Sequence, residues 1–242
     1  MKPISNLRFF LISFAFTFIV FPMRAQWSVG LQAGYTHNSL TTSSIYFYDR
    51  DFHPQGGFTL GLPVQYAFTD WFSVGCEATF VQKSYKTHRS EYYSILYEEV
   101  NNNYLSIPLY AHFSFGGTKL RGFLNAGGYL GGWLSSHAKG THTSVFSIDN
   151  SPGNGSHYED DAFISSYDQK VQFDSRRDNR FEAGGMIGIG MSYLLSPQIQ
   201  LFGECRYYHS LTDMQKDYMK GKIPRYNNTF AFQAGILFLL GK

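Results

Sequence analysis

The sequence has few cysteines, few charged residues and no long apolar run after its first residues. Of 242 residues only Cys76 and Cys205 are cysteines, and the charged residues make up 16%, against about 25% in a typical soluble domain. The net charge of +2 gives no strong field for nucleic acid. No run of about 18 apolar residues follows the N-terminus, which argues against a helical transmembrane protein.

Aromatic residues and glycine are abundant instead. Phe, Trp and Tyr make up 18% of the chain, and there are 24 glycines. Few charges combined with many aromatics and glycines indicate long β-strands rather than an α/β enzyme.

The N-terminus has the pattern of an export signal. Lys2 and Arg8 precede the apolar core FFLISFAFTFIVF, and Ala25 offers a cleavage site. We therefore expect residues 1–25 to be a signal peptide and residues 26–242 to form a single domain. A retained membrane anchor is the alternative interpretation. No cysteine follows the apolar core, so a lipid-modified N-terminus is not supported.

Alternation of apolar and polar residues occurs in eight segments after this signal. No Asp, Glu, Lys or Arg lies in the central part of their apolar faces. The segments are QWSVGLQAGYT, GFTLGLPVQYAFT, WFSVGCEATFVQK, NYLSIPLYAHFSFGG, LRGFLNAGGYLGGWLSS, RFEAGGMIGIGMSYLL, QIQLFGECRYYH and TFAFQAGILFLL.

The connections between these segments alternate between short and long. Short ones are predicted at Thr69–Asp70, at residues 116–119 and at residues 196–198, and long polar ones at residues 37–56, 86–102, 137–179 and 212–228. This pattern predicts an all-β fold, an eight-stranded antiparallel up-and-down transmembrane β-barrel of the bacterial outer membrane. Both termini are expected to be periplasmic. A soluble ligand-binding barrel is the alternative.

The polar faces of the strands are predicted to line the lumen. An interior of eight strands has room for side chains but not for a wide pore. We expect the charged members to pair as a plug, because buried charges are tolerated only when they are paired. A gated narrow pathway or a catalytic pocket are the alternatives. The predicted polar network consists of Gln65, Glu77, His112, Arg121, Glu182, Glu204 and Arg206.

Two further expectations concern cysteine and proline. Cys76 and Cys205 fall on lipid-facing positions of the third and seventh segments, on opposite sides of a closed barrel, so we expect two free thiols. Pro63 and Pro108 lie inside predicted strands, where a proline commonly marks a bulge. We therefore expect local bulges at these two positions.

Two charged clusters fall in the long connections. Glu159, Asp160 and Asp161 form an acidic cluster that is either a cation-binding loop or simply solvated. Basic residues near the outer start of the sixth segment either contact lipopolysaccharide phosphates or face water; these are Arg176, Arg177 and Arg180.

Three segments carry a resemblance to a known family. YLSIPLY resembles the YLxIPL element of the PorT-like outer-membrane β-barrels of Bacteroidetes, and RFEAGGMIGIGMSYLL and ECRYYHSLTDM resemble the sixth and seventh strands of that family. The resemblance implies an outer-membrane barrel, in some members with a role linked to secretion.

These observations together predict a function other than catalysis. We expect a binding, secretion-accessory or structural barrel without cofactor or metal. Its expected partners are outer-membrane lipid and lipopolysaccharide, and secretion-system or surface proteins, but not nucleic acid. The alternatives are a narrow porin-like channel and a lipid-modifying enzyme, for which His112 and Ser114 share a face without an adjacent acid.

Overall fold

The computed structural model describes residues 26–42, 50–89, 95–143, 164–217 and 223–240. The predicted signal peptide at residues 1–25 lies outside these ranges. No helix in the described ranges is long and apolar enough to cross a membrane. The strands are β1 (Gln26–Thr42), β2 (Arg50–Ala67), β3 (Phe72–Arg89), β4 (Tyr97–Gly116), β5 (Leu120–Thr143), β6 (Ile164–Lys170), β7 (Phe181–Ser196), β8 (Ile199–Ser210) and β9 (Arg225–Leu240).

Eight long antiparallel strands close on themselves to form a barrel. Strands consecutive in the chain are neighbours from β1 to β5 and from β7 to β9, β5 pairs with both β4 and β7, and β9 pairs with β1. Closure leaves none of these strands with an unpaired edge along the barrel wall. The predicted eight-stranded antiparallel barrel is therefore confirmed.

The short strand β6 was not predicted. It pairs with residues 137–143 of β5 and is not part of the closed ring. Its sequence ISSYDQK does not alternate between apolar and polar residues, so the period-two pattern that identified the other strands gives no signal here.

Three tight connections lie at one end of the barrel, which we call the turn end. They span residues 68–71, 117–119 and 197–198, in agreement with the predicted turns. The first is stabilised by Thr69, whose hydroxyl accepts a hydrogen bond from the Phe72 amide at 3.0 Å. In the second, Gly116 has a φ of 118°, a conformation that favours glycine.

The predicted bounds of the long connections at the opposite, loop end are wrong. β1 continues to Thr42, β3 to Arg89 and β5 to Thr143. Beyond the apolar band both faces of these strands carry polar residues, so the alternation ends although the hydrogen-bond ladder continues. Residues 50–54, 85–89, 97–100, 137–143 and 164–170 thus form a sheet that we call the loop-end sheet.

The two faces of the barrel wall differ in the predicted sense. Leu109 and Phe232 point outward and are 59% and 53% exposed, whereas Glu204 and Arg206 point inward and are 6% and 1% exposed. A continuous apolar exterior of this extent is the surface that a hydrocarbon environment requires.

The two cysteines lie far apart, as predicted. Cys76 is on β3 and Cys205 is on β8, and three strands separate β3 from β8 in both directions round the ring. Both thiols are free.

The expected bulges at Pro63 and Pro108 are not present. The register of β2 shifts between Pro54 and Thr59, and that of β4 against β5 shifts at Asn103. Beside each of these prolines the hydrogen-bond ladder to one neighbouring strand is interrupted, but the register is the same on both sides of the gap. Proline lacks only the amide donor, and the flanking residue pairs keep the two strands aligned.

Candidate functional site

The guanidinium of Arg206 is the centre of a buried polar network in the lumen. Its Nη1 and Nη2 donate to Glu77 at 2.7 and 2.8 Å, and its Nε and Nη2 donate to Glu204 at 2.9 and 2.7 Å. Nη1 also donates to the Tyr208 hydroxyl at 3.1 Å. These bonds use all five N–H donors of the side chain.

Neutral side chains complete the coordination of the two carboxylates. Glu77 accepts hydrogen bonds from the Tyr110 hydroxyl at 2.7 Å and from Gln32 at 2.8 Å. Glu204 accepts from Asn125 at 2.9 Å and from Gln233 at 3.1 Å. The three charged side chains are only 1% exposed, and the donors around them meet the condition under which buried charges are stable.

Two other predicted network members lie at the edge of this cluster. Gln65 donates to the Tyr110 hydroxyl at 3.2 Å. His112 contacts the Asn125 side-chain oxygen through Nδ1 at 2.7 Å. The network therefore reaches from the centre of the lumen towards the turn end.

A second buried ion pair lies closer to the loop end, and the sequence reasoning missed one partner of it. Lys83 donates to both oxygens of Glu182 at 2.9 and 2.8 Å. The ammonium also lies over the rings of Tyr104 and Tyr129, 4.9 and 5.0 Å from their centroids. Lys83 is six residues from Glu77 on the same strand, so its parity already placed it on the inward face.

The predicted acid–base set therefore divides into two clusters, and Arg121 joins neither. Within the described ranges Arg121 forms no ion pair, and its Nε has no hydrogen-bond partner. Its position on β5 is four residues nearer the turn end than Asn125, a rise of about 13 Å. This distance along the strand separates the guanidinium from the Arg206 cluster.

Inward-facing glycines make room for the network. A Cβ atom on Gly188 would lie 2.0 Å from the Glu204 carboxylate, and one on Gly75 would lie 2.4 Å from the Tyr110 ring. Larger residues at these positions would displace the groups that hold Arg206. Within the GGMIGIG segment, Gly188 thus serves packing, whereas a Cβ on Gly185 would meet no atom within 4 Å.

Two segments pack over the loop end of the lumen. The Asn179 amide donates to the Met214 carbonyl and the Lys216 amide to the Arg177 carbonyl, both at 2.9 Å. Met214 is 8% exposed and packs against the rings of Tyr104 and Trp133. Residues 171–180 and 211–217 together form what we call the loop-end cap.

Two arginines of the basic cluster for which lipopolysaccharide contact is one interpretation form hydrogen bonds within the protein. Arg177 donates to both carboxylate oxygens of Asp178 at 2.8 and 3.1 Å. Burial raises the pKa of Asp178, but the hydrogen bonds from Arg177 and from the Asp174 backbone outweigh it, so the pKa is lowered. Arg180 donates to the Trp133 carbonyl at 2.9 Å, and all three arginines are exposed.

The acidic cluster Glu159, Asp160 and Asp161 lies outside the described residues. Among the residues that the structure describes, no group of three His, Cys, Asp or Glu side chains is arranged to hold a metal ion.

A cavity of about 990 Å³ lies between the Arg206 cluster and the turn end. Asp70, Thr118 and Lys119 of the tight turns form its exposed rim. Glu77, Glu204 and Arg206 form its inner end, so we call it the turn-end cavity.

The loop-end sheet has its own apolar core and a shallow pocket. Tyr85, Val100 and Ala138 form the buried core. A pocket of about 240 Å³ is lined by residues that include His88, Tyr97, His142 and Tyr167. The core gives the sheet a rigid base outside the apolar band.

Charged groups beside this pocket are paired. Lys86 and Lys139 each contact the Glu99 carboxylate at 2.9 Å, and these hydrogen bonds lower the pKa of Glu99. Burial, followed by the charges of Lys86 and His53, lowers the pKa of His88, which keeps its imidazole neutral at pH 7.

Several solved structures of outer-membrane proteins are similar to this chain at low sequence identity. The fold is similar to the outer membrane protein OprG from Pseudomonas aeruginosa (10% identity, TM-score 0.49, 91% of this chain and 98% of that chain covered). It is also similar to Neisserial surface protein A (15% identity, TM-score 0.42, 87% of this chain and 96% of that chain covered). A third similar structure is the outer membrane protease OmpT from Escherichia coli (12% identity, TM-score 0.44, 89% of this chain and 96% of that chain covered). No curated protein matches the chain.

A family model described as "Outer membrane protein beta-barrel domain" matches residues 20–216. This match covers most of the chain, and it implies a location in the bacterial outer membrane. The chain belongs to the outer membrane protein beta-barrel domain family.

Proposed function

We propose that this protein is a closed, non-conducting barrel that binds a partner at the cell surface through its loop-end sheet. The observation that carries the proposal is the buried, fully bonded Arg206 cluster in the lumen. Arg206 and its two carboxylates occupy the centre with every guanidinium donor bonded. Towards the loop end, Lys83 pairs with Glu182, and Met214 of the loop-end cap packs against Tyr104 and Trp133.

The turn end is proposed to be periplasmic. Outer-membrane barrels have short periplasmic turns and longer extracellular connections, and here all three tight turns share one end with Gln26 and Leu240. Both termini then lie in the periplasm, and the loop-end sheet extends from the cell surface.

The loop-end sheet supports binding because it combines rigidity with an aromatic surface. His53 and His88 rings lie 5.6 Å apart, and Lys86 lies 4.9 Å from the centroid of Tyr97. His53 is exposed and His88 and Tyr97 are half-buried, and aromatic groups at the surface are typical of protein interfaces. A surface or secreted protein is therefore the proposed partner, in keeping with the resemblance to PorT-like barrels. Lipopolysaccharide contact remains a prediction for Arg176, Arg177 and Arg180.

Catalysis is not part of the proposal. The Ser114 hydroxyl donates to the Asp70 carbonyl at 3.0 Å, and His112 uses Nδ1 for Asn125. Neither interaction supplies the base that a serine nucleophile needs.

The experiment compares two classes of variant in a strain that lacks the gene. One class alters the lumen through the triple change Glu77→Gln, Glu204→Gln and Arg206→Met. The other alters the surface through Tyr97→Ala and His88→Ala. An epitope inserted between Thr143 and Ile164 allows capture of bound proteins from intact cells.

We expect the lumen variant to restore the surface and secreted protein profile and the surface variant to fail, although it is correctly inserted. The opposite pattern, restoration by the surface variant and failure of a folded lumen variant, would favour the channel alternative.

A further inference from the structure

Part of the wall of the turn-end cavity is apolar. Inward-facing apolar residues line it from β7, β8 and β9, whereas Ser192, Glu204 and Gln233 occupy other inward positions of these strands. The apolar lining residues of these three strands are Leu194, Phe202, Leu237 and Leu239. An apolar wall in a cavity of this kind suits an apolar ligand group.

Small side chains keep the cavity open. An eight-stranded barrel has an interior that side chains can fill, or that can hold one small ligand. Here four strands each place a serine at an inward position, and these small side chains leave a volume of about 990 Å³ unfilled. The serines are Ser28, Ser73, Ser114 and Ser192. This volume is within the range of small-molecule sites.

A guanidinium without an ion-pair partner lines the same cavity. Arg121 lines the cavity, is half-buried and forms no ion pair with a described residue. Its buried Nε has no hydrogen-bond partner, although buried polar groups ordinarily have one. The carboxylates of Glu77 and Glu204, which also line the cavity, are already bound to Arg206. Arg121 is therefore available to an acceptor that enters from the turn end.

We propose that the turn-end cavity binds a small amphiphile with a carboxylate head and an apolar chain. Arg121 recognises the head, because a guanidinium matches the two oxygens of a carboxylate. Phe202, Leu237 and Leu239 contact the chain. The Arg206 cluster closes the inner end, so the ligand enters and leaves at the turn end. Only the side of entry, the periplasm, rests on the proposed function.

The test uses octanoate, a soluble carboxylate with an eight-carbon chain. The full mature chain is placed in lipid nanodiscs with ¹³C-methyl-labelled leucine, and the methyl resonances of Leu237 and Leu239 are followed by NMR during titration. Three comparison ligands separate head from tail: acetate has the head alone, octanamide has the same chain without charge, and octyltrimethylammonium has the opposite charge.

We expect octanoate to shift both leucine methyls to saturation and to bind at least about tenfold more tightly than octanamide or acetate, since a hydrogen bond to a charged group contributes about tenfold or more. Octyltrimethylammonium should not compete. Arg121→Gln should lower the affinity for octanoate about tenfold and leave the affinity for octanamide unchanged. Arg176→Gln, at an exposed position outside the lumen, is the matched control and should have no effect.

Unchanged leucine methyls with octanoate would overturn the proposal, as would equal affinities of octanoate and octanamide. Equal octanoate affinity in the Arg121→Gln variant would also overturn it. If Arg121→Gln does not fold, Arg121→Lys takes its place and should bind octanoate more weakly than the wild type. Both ends of the barrel face water in a nanodisc. A conducting lumen or an inverted orientation would contradict the proposed function, but neither would change the result of this titration.

Discussion

Replacing Arg206 by methionine is the sharpest perturbation of the lumen. The change keeps an unbranched side chain but removes all five donors, and it leaves Glu77 and Glu204 facing each other at 1% exposure. Removing one partner of a buried ion pair costs about 3–5 kcal/mol. Because two carboxylates lose their cation here, we expect Arg206→Met to lower the free energy of unfolding by at least about 3–5 kcal/mol.

The compensating variant separates charge from packing. Adding Glu77→Gln and Glu204→Gln removes both uncompensated charges, and the amides still accept hydrogen bonds from Tyr110 and Asn125. We expect this triple variant to regain at least about half of the loss, which makes the changes strongly non-additive.

The measurement is urea-induced unfolding in phospholipid vesicles, followed by tryptophan fluorescence and by heat-modifiable gel migration. Arg176→Met, at an exposed position, should shift the free energy by no more than about 0.5 kcal/mol. A loss below about 1 kcal/mol for Arg206→Met would refute the reasoning, because that is the size expected of a solvated surface pair.

Three further variants test other parts of the structure. Lys83→Met should cost about 3–5 kcal/mol in the same assay, because it leaves Glu182 buried without its cation; a loss like that of a surface residue would contradict the second ion pair. Gly188→Ala should destabilise by about 1–3 kcal/mol, since the added carbon would lie 2.0 Å from the Glu204 carboxylate, and Gly203→Ala, where the added carbon meets open space, is its control. The pKa of Glu99 is lowered from 4.5 in the folded protein, so its contribution is present above about pH 4.5 and is lost as the pH falls through the lowered value. The difference in unfolding free energy between wild type and Glu99→Gln should therefore shrink from pH 7 to pH 3, and a difference independent of pH would count against the pairing with the two lysines.

The barrel wall was predictable from sequence because its physical cause is local. Alternation places Leu109 outward and Glu204 inward whatever the neighbouring strands are. Beyond the apolar band the residues no longer alternate between apolar and polar. The sequence therefore did not indicate the ends of the loop-end sheet or the whole of β6.

The pairing inside the lumen was less predictable because it depends on strand register and stagger. Parity identifies Glu77, Glu182 and Arg206 as inward but does not give their heights along the barrel axis. Only the three-dimensional register shows that Lys83 reaches Glu182 and that Arg121 lies about four residues too close to the turn end. The prolines illustrate the same limit, since flanking ladder pairs prevented the expected bulges.

Single-channel recording in a planar lipid bilayer tests the central claim, a lumen blocked by two ion-pair clusters and the loop-end cap. The folded wild-type protein should give no conductance steps across the physiological range of voltage. Steady, ohmic steps from wild-type protein of verified purity would contradict the account, because ions cannot pass an interior in which Arg206 and Lys83 are bonded as the structure describes.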